Sequence, residues 1–255
     1  MTKLGDDPLG RQAMEFYEAE QLAGDNILID KDAHTGAALI IVNESNAQNQ
    51  IVVISGACEC ISENETTKTV AYLKKSDILL TQMETNLEPV RKLLKCAKDG
   101  GIITVLNPAP AQHLEDEYYK YIDIITPNET EAQYLTGIQV VDVDTARQAA
   151  EIFINRGVKK VIITMGENGC YAFDGTNDKF FDAIDNGAPV DTTGAGDAFN
   201  GGFAAALARD YTFFDAVRYG SCVAALAIMG HGTAPAMPYR KEIDKLYANC
   251  NKQER

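Results

Sequence analysis

The sequence predicts an α/β protein: a doubly wound, mostly parallel sheet with a small β-rich lid near its front. Three observations predict it. From about residue 63 onward, short Ile- and Val-rich runs alternate with stretches of helical spacing, which is the pattern of βαβ units. Ahead of them, three β-rich runs at 26–30, 36–42 and 50–55 are separated by polar turn residues. Of the 255 residues 45% are apolar, enough to bury one substantial core, so a single domain over residues 1–255 is expected.

The elements follow in order. Pro8 opens a run of helical spacing that reaches residue 22 and stops at Gly24. The runs at 26–30, 36–42 and 50–55, with Asn43-Glu-Ser-Asn46 as a turn, are expected to form a small sheet of their own, a lid over about 26–58. Strands are then predicted at 78–81, 102–106, 122–125 and 161–164, each short and apolar as buried parallel strands are. Helices are predicted between them at 66–75, 87–99, 129–136 and 145–156. Thr164-Met-Gly166-Glu-Asn-Gly169 leads into the apolar Cys170-Tyr-Ala-Phe173 and reads as a turn between two strands. Helical runs at 196–209, 213–229 and 241–250 close the chain. No internal repeat or low-complexity stretch is present.

Composition narrows the function. A net charge of −14 repels nucleic acid and anionic lipid before any specific contact forms. Small molecules are the expected partners. The longest apolar run, residues 222–229, is far short of the roughly 18 residues that suggest a membrane span. No secretory or mitochondrial signal is read after Met1, so the cytosol is the expected location. The six cysteines are scattered, and Cys58-Glu-Cys60 fits neither zinc nor redox spacing. With three distant histidines, a transition-metal site is not expected, and any metal should be hard and oxygen-bound. In so acidic a protein, phosphates must be held by backbone N–H groups and bound cations.

The richest stretch is Asp191-Thr-Thr-Gly-Ala-Gly-Asp197-Ala-Phe-Asn-Gly-Gly202, directly ahead of a predicted helix. Two glycines flanking an alanine leave the backbone bare, so N–H groups at the helix start can converge on a phosphate or a developing negative charge. Asp197, in the first turn, can accept a proton from an attacking hydroxyl. The bland alternative is that Asp191 or Thr193 caps the helix and the glycines make a tight turn. The stretch is neither a Walker A loop nor a dinucleotide fingerprint. A second motif, Thr126-Pro-Asn128-Glu-Thr-Glu131-Ala, sits where a strand hands over to a helix and reads as a capping box. Upstream lies the proline-rich Asn107-Pro-Ala-Pro-Ala111, and Gln82-Met-Glu84 ends a strand at the sheet edge where ligands gather.

Asp191-Thr-Thr-Gly-Ala-Gly-Asp197 with its following glycine pair resembles the signature of the ribokinase-like carbohydrate kinases. That resemblance implies a Rossmann-like, ribokinase-like fold and ATP-dependent phosphorylation of a sugar hydroxyl, D-ribose to D-ribose 5-phosphate first. It implies Asp197 as catalytic base, in contact with the acceptor, and Gly194, Ala195 and Gly196 as the anion hole. It implies nucleotide contacts at Asn128, at Thr164, Met165, Gly166, Glu167, Asn168 and Gly169, at Gly196 and at Ser221, where relatives often carry Asn or His. Glu131 would hold Mg²⁺ through water, and Glu84 would contact the sugar. A potassium site would draw on Asp191, Thr193, Ala227, Gly230, Gly232 and Ala236, the last replacing a serine. A homodimer through the β-rich lid is implied as well.

The resemblance runs from Leu4-Gly-Asp-Asp-Pro-Leu-Gly10 to the end. The family's first strand, an early Asp and its G-G-K-G-x-N sugar loop are not in this sequence. A truncated chain with impaired transfer is therefore expected, because a loosely held acceptor forfeits roughly 7 kcal/mol or more of positioning. Two alternatives stand beside it: a kinase for another sugar or a nucleoside, and a non-catalytic nucleotide-binding or dimer-partner protein.

Overall fold

The structure is a computed structural model that describes residues 1–22, 24–42 and 49–253. It divides into two compact units, one of residues 1–75 and 82–96, the other of residues 76–81 and 97–255. The turn expected at Asn43-Glu-Ser-Asn46 lies outside the described residues.

In the first unit, β1 (Thr2–Gly5) leads into α1 (Pro8–Ala19). Asp7 caps that helix by accepting from Gly10 N, and Pro8 sits where its missing N–H costs nothing. The helix stops before residue 22, since Gln21 turns to φ 57°. Next come β2 (Ile27–Asp30), β3 (Ala37–Val42) and β4 (Asn49–Ile54). The expected three-run sheet is corrected here. β3 and β4 pair antiparallel as a two-stranded ribbon, whereas β2 pairs in parallel with β1, Thr2 beside Ile27 and Gly5 beside Asp30. The reason is Lys3, a buried cation in β1 that ion-pairs with Asp30 at the end of β2 (2.9 Å) and with Glu65 (3.1 Å), and donates to Cys60 O (2.7 Å). A short charged strand of this kind carries no apolar run to betray it. α2 (Glu63–Leu73) begins three residues before the predicted start because Ser62 and Glu65 form a capping box.

The second unit opens with β5 (Ile78–Thr81), and α3 (Leu87–Asp99) runs from the first unit into it. Then follow β6 (Ile103–Leu106), α4 (Asp116–Tyr119), β7 (Ile124–Ile125), α5 (Glu129–Thr136), α6 (Val143–Asn155) and β8 (Lys160–Thr164). The chain ends with β9 (Cys170–Phe173), β10 (Asp178–Phe181), α7 (Ala195–Leu207), α8 (Phe213–Ala227) and α9 (Arg240–Gln253). One sheet runs β5-β6-β7-β8-β9-β10, parallel from β5 to β8 and antiparallel beyond. The α/β expectation with a mostly parallel sheet holds, with β10 as an addition.

Val105, Ile124, Ile162 and Ala172 of the sheet share a core with Phe199, Phe203, Val217 and Val223 of α7 and α8. Each Val, Ile and Phe among them contributes about 1.5–3 kcal/mol by leaving water. The two helices approach closely: a Cβ on Gly202 would lie 2.4 Å from Val223 Cγ2. Among the described residues, no helix is long and apolar enough to cross a membrane, and all six cysteines are free thiols. What this frame does for chemistry is local. The parallel strands deliver Asn107, Thr126, Asn128 and Thr164 to one edge, the carboxyl edge, where open α/β sheets hold ligands.

Candidate active site

The start of α7 is left open by its own sequence. Gly194 occupies the N-cap position with φ 78°, a left-handed turn that a side chain would strain, and among the described residues no side chain caps the helix. Ala195 N donates back to Thr192 O (3.2 Å), and Ala198 N donates to Gly194 O (2.9 Å). Between them, the N–H groups of Gly196 and Asp197 meet no protein acceptor among the described residues. A Cβ built on Gly196 finds nothing within 4 Å, so the space on the side-chain face of this glycine is open. Two aligned donors at the positive end of a helix make an anion site.

Asp197 stands in that first turn. Among the described residues its carboxylate takes no hydrogen bond and no ion pair. The residue reaches solvent, yet protein crowds the carboxyl on enough sides that desolvation pushes its pKa above the usual carboxylate range. A carboxylate held uncompensated in this way is a better proton acceptor than one in water.

The loop leading in is fixed by Asp191. Its Oδ1 accepts from Thr193 N (2.9 Å) and its Oδ2 from Gly232 N (3.0 Å). The Thr193 hydroxyl and N–H, then the Gly232 N–H, lower its pKa to about 2. Val190 N and Asp191 N both donate to Ile228 O (2.8 and 3.2 Å), stitching this loop to the end of α8. Gly230 N donates to Ala227 O (3.3 Å), and a Cβ on Gly230 would lie 3.0 Å from Ala236 Cβ. The six residues expected for a monovalent cation therefore lie on these two joined loops and, for Ala227, at the last residue of α8, with Ala236 offering no hydroxyl.

At the sheet edge, Asn128 caps α5. Its Oδ1 accepts from Glu131 N (2.8 Å), while Asn128 N and Nδ2 donate to the Glu131 carboxylate (2.9 and 3.0 Å). Glu131 is buried, and this box is the capping arrangement its spacing predicts. Thr164 N donates to Pro127 O (3.0 Å), and Asn128 bridges to Thr164 in parallel. Beyond it, a short 3₁₀ turn at Gly166–Asn168 is closed by Met165 N donating to Gly169 O (2.8 Å). Gly166, Glu167 and Asn168 are exposed, whereas the Met165 side chain is buried and offers only backbone. Ser221 spends its hydroxyl on Val217 O of its own helix (3.1 Å). Glu84 belongs to the first unit, where its N–H donates to Gln82 Oε1 (2.7 Å) and its carboxylate accepts from Gln82 Nε2 (3.3 Å).

Thr126 and Asn200 are buried polar residues of the second unit to which the sequence assigns no role. Thr126 Oγ1 donates to Asn200 Oδ1 (2.7 Å), and Asn200 Nδ2 donates to Gly196 O (2.9 Å). The available signal was an asparagine inside the otherwise apolar Ala198-Phe-Asn-Gly-Gly-Phe203.

Fold and site together fit an α/β phosphotransferase, with the open start of α7 as its candidate anion site. The chain matches the pfkB family carbohydrate kinase over residues 1–240. It is 39% identical to a ribokinase of Haemophilus influenzae over 239 residues, 94% of this chain and 78% of that one. A crystal structure of a ribokinase from Thermotoga maritima superposes with a TM-score of 0.85 at 32% identity, covering 98% of this chain and 80% of the other. A structure of Arabidopsis thaliana ribokinase complexed with ribose and ATP superposes with a TM-score of 0.88 at 28% identity, covering 97% and 80%. The chain belongs to the pfkB family of carbohydrate kinases.

Proposed function

We propose that this chain transfers the γ-phosphoryl group of ATP to a hydroxyl of D-ribose, giving ADP and D-ribose 5-phosphate. The observation that carries the proposal is the pairing at the start of α7: two unengaged N–H groups, of Gly196 and Asp197, beside the uncompensated Asp197 carboxylate. Asp197 takes the proton of the acceptor hydroxyl as its oxygen bonds to phosphorus and the bond to the ADP oxygen breaks. The loop of Gly194, Ala195 and Gly196 cradles the charge on the transferring group.

Asn128, the Thr164 to Gly169 turn and Ser221 are assigned to the nucleotide, and Glu84 keeps the acceptor-contacting role that the family resemblance implies. Mg²⁺ accompanies ATP and supplies neutralisation of phosphate charge. Glu131, whose carboxylate already serves Asn128, suits a hold through water. The joined loops carrying Asp191, Thr193, Ala227, Gly230, Gly232 and Ala236 are proposed to take K⁺. We assign the chain to the cytosol, and to a homodimer through the β3–β4 ribbon, where Leu39, Val53 and Ile54 are each 64% exposed. Sedimentation that finds only monomer at high concentration speaks against the dimer.

The test is ADP release from Mg-ATP with and without D-ribose. Ribose-dependent turnover is expected, with Asp197→Ala reducing it by roughly 10³-fold while nucleotide binding persists. Release that ignores ribose, or survives Asp197→Ala, refutes the assignment.

A further inference from the structure

We propose that Asn200 is a positioning residue for phosphoryl transfer, holding the Gly196–Asp197 peptide so that its N–H faces the transferring group. The inference rests on the function proposed above and concerns how the anion site is kept in shape. The Gly196 carbonyl and the Asp197 N–H belong to one planar trans peptide and point in opposite directions. Whatever grips the carbonyl therefore aims the N–H. Asn200 Nδ2 donates to that carbonyl at 2.9 Å, in addition to the ordinary i−4 bond of the helix. An extra donor on the oxygen also polarises the peptide, strengthening its N–H as a donor.

Asn200 is itself held. Its Oδ1 accepts from Thr126 Oγ1 at 2.7 Å, which leaves Nδ2 facing Gly196, and Asn107 Nδ2 donates to Thr126 O at 2.8 Å. Thr126 is 2% exposed and Asn200 5%, so neither end of the amide can exchange its partner for water. Packing alone does not call for an amide here, because α7 turns Ala198, Phe199, Phe203 and Ala206 into the same core. A buried amide earns its desolvation cost only if both ends are satisfied. The chain of bonds joins the ends of β6 and β7 to the start of α7, and Thr126 lies two residues ahead of Asn128. One relay thus ties the phosphate-facing helix start to the loop assigned to the nucleotide.

The test compares Asn200→Asp, which keeps the shape and loses the donor, with Thr126→Val and Thr126→Ser. The readouts are kcat, KM for ATP, melting temperature, and the affinity for ADP with aluminium fluoride relative to ADP alone. In Asn200→Asp, kcat is expected to fall about tenfold or more with KM for ATP within about threefold, and the fluoride-dependent tightening to fall by about the same factor as kcat. Thr126→Val should lose part of this, and Thr126→Ser, which keeps the hydroxyl, should recover most of it. Folded variants with unchanged kcat and unchanged tightening overturn the proposal. So does a loss in which kcat, ATP affinity and melting temperature fall together, since that is the mark of packing alone. Asp197→Ala separates the layers: if it spares turnover, the underlying function is wrong, and if it abolishes turnover while Asn200→Asp does not lower it, only the relay is wrong. A chain that shows no fluoride-dependent tightening at all removes the anion site and the relay with it.

Discussion

Asp197 is a charge left uncompensated among the described residues. Because desolvation raises its pKa, the folded chain keeps this proton to a higher pH than the unfolded chain does. Between the ordinary and the raised values the folded state binds more protons, so stability falls as pH rises through that window. At neutral pH the carboxylate weighs against folding. Asp197→Asn is accordingly expected to raise the melting temperature at pH 7 while removing turnover, and the gain should vanish near about pH 3, where both forms are neutral. Thermal melts at the two pH values check this. Asp191 has the opposite sign, since its pKa is lowered to about 2. Its contribution is complete above the ordinary carboxylate value of about 3.9 and is lost as pH falls towards 2. At this scale, legibility followed sequence distance. The Asn128 and Glu131 cap and the bare glycines of α7 are local chemistry, so three to six residues announce them. Asn200 and Thr126 meet across 74 positions, and no spacing rule reaches that far.

Elements were legible in proportion to how well their sequence matched a period. The strand at Ile78–Thr81 and the helices at Leu87–Asp99 and Glu129–Thr136 fall where they are predicted, each bounded by turn or capping residues. β1 was missed because a buried Lys3 breaks its apolar run, and β10 because half of this short outer strand, Asp178 and Lys179, is charged and exposed. The packing of α7 on α8 was invisible for another reason: it depends on glycines that read as flexibility. Gly202 lets the helices touch, and Gly202→Ala would drive a methyl to 2.4 Å from Val223 Cγ2 and 3.3 Å from Gly220 Cα. Overpacking of this kind costs about 1–3 kcal/mol. Denaturant melts should show a lower midpoint with an unchanged slope, and a neutral result would mean that α8 shifts freely to make room.

In the second unit as a whole, the two edges of the parallel sheet carry different work. The carboxyl edge holds Asn107, Thr126, Asn128 and Thr164, while the amino edge is closed by Asp123, just ahead of β7. Asp123 accepts from Lys98 at the end of α3, from Lys159 ahead of β8 (2.9 Å), and from Thr104 N in β6 (3.1 Å). Burial alone would raise its pKa, but the bonds from Lys98 and Lys159 outweigh it and leave it lowered. That stabilisation is present above the ordinary carboxylate pKa and is lost as pH falls through the lowered one. Alternation of strand and helix made this sheet legible in the sequence, but the convergence of Lys98, Thr104, Asp123 and Lys159 was not, since each lies on a different element. Asp123→Ala leaves Thr104 N, fully buried, without its acceptor and two ammonium groups without their shared anion. The expected cost is about 2 kcal/mol, or roughly 4–8 °C in melting temperature for a chain of this size. Because the cluster faces away from the carboxyl edge, kcat and KM for ATP per folded molecule should stay unchanged. Active-site titration beside a thermal melt separates the two, and a fall in kcat without a fall in stability would mean that the edges are coupled through the strands.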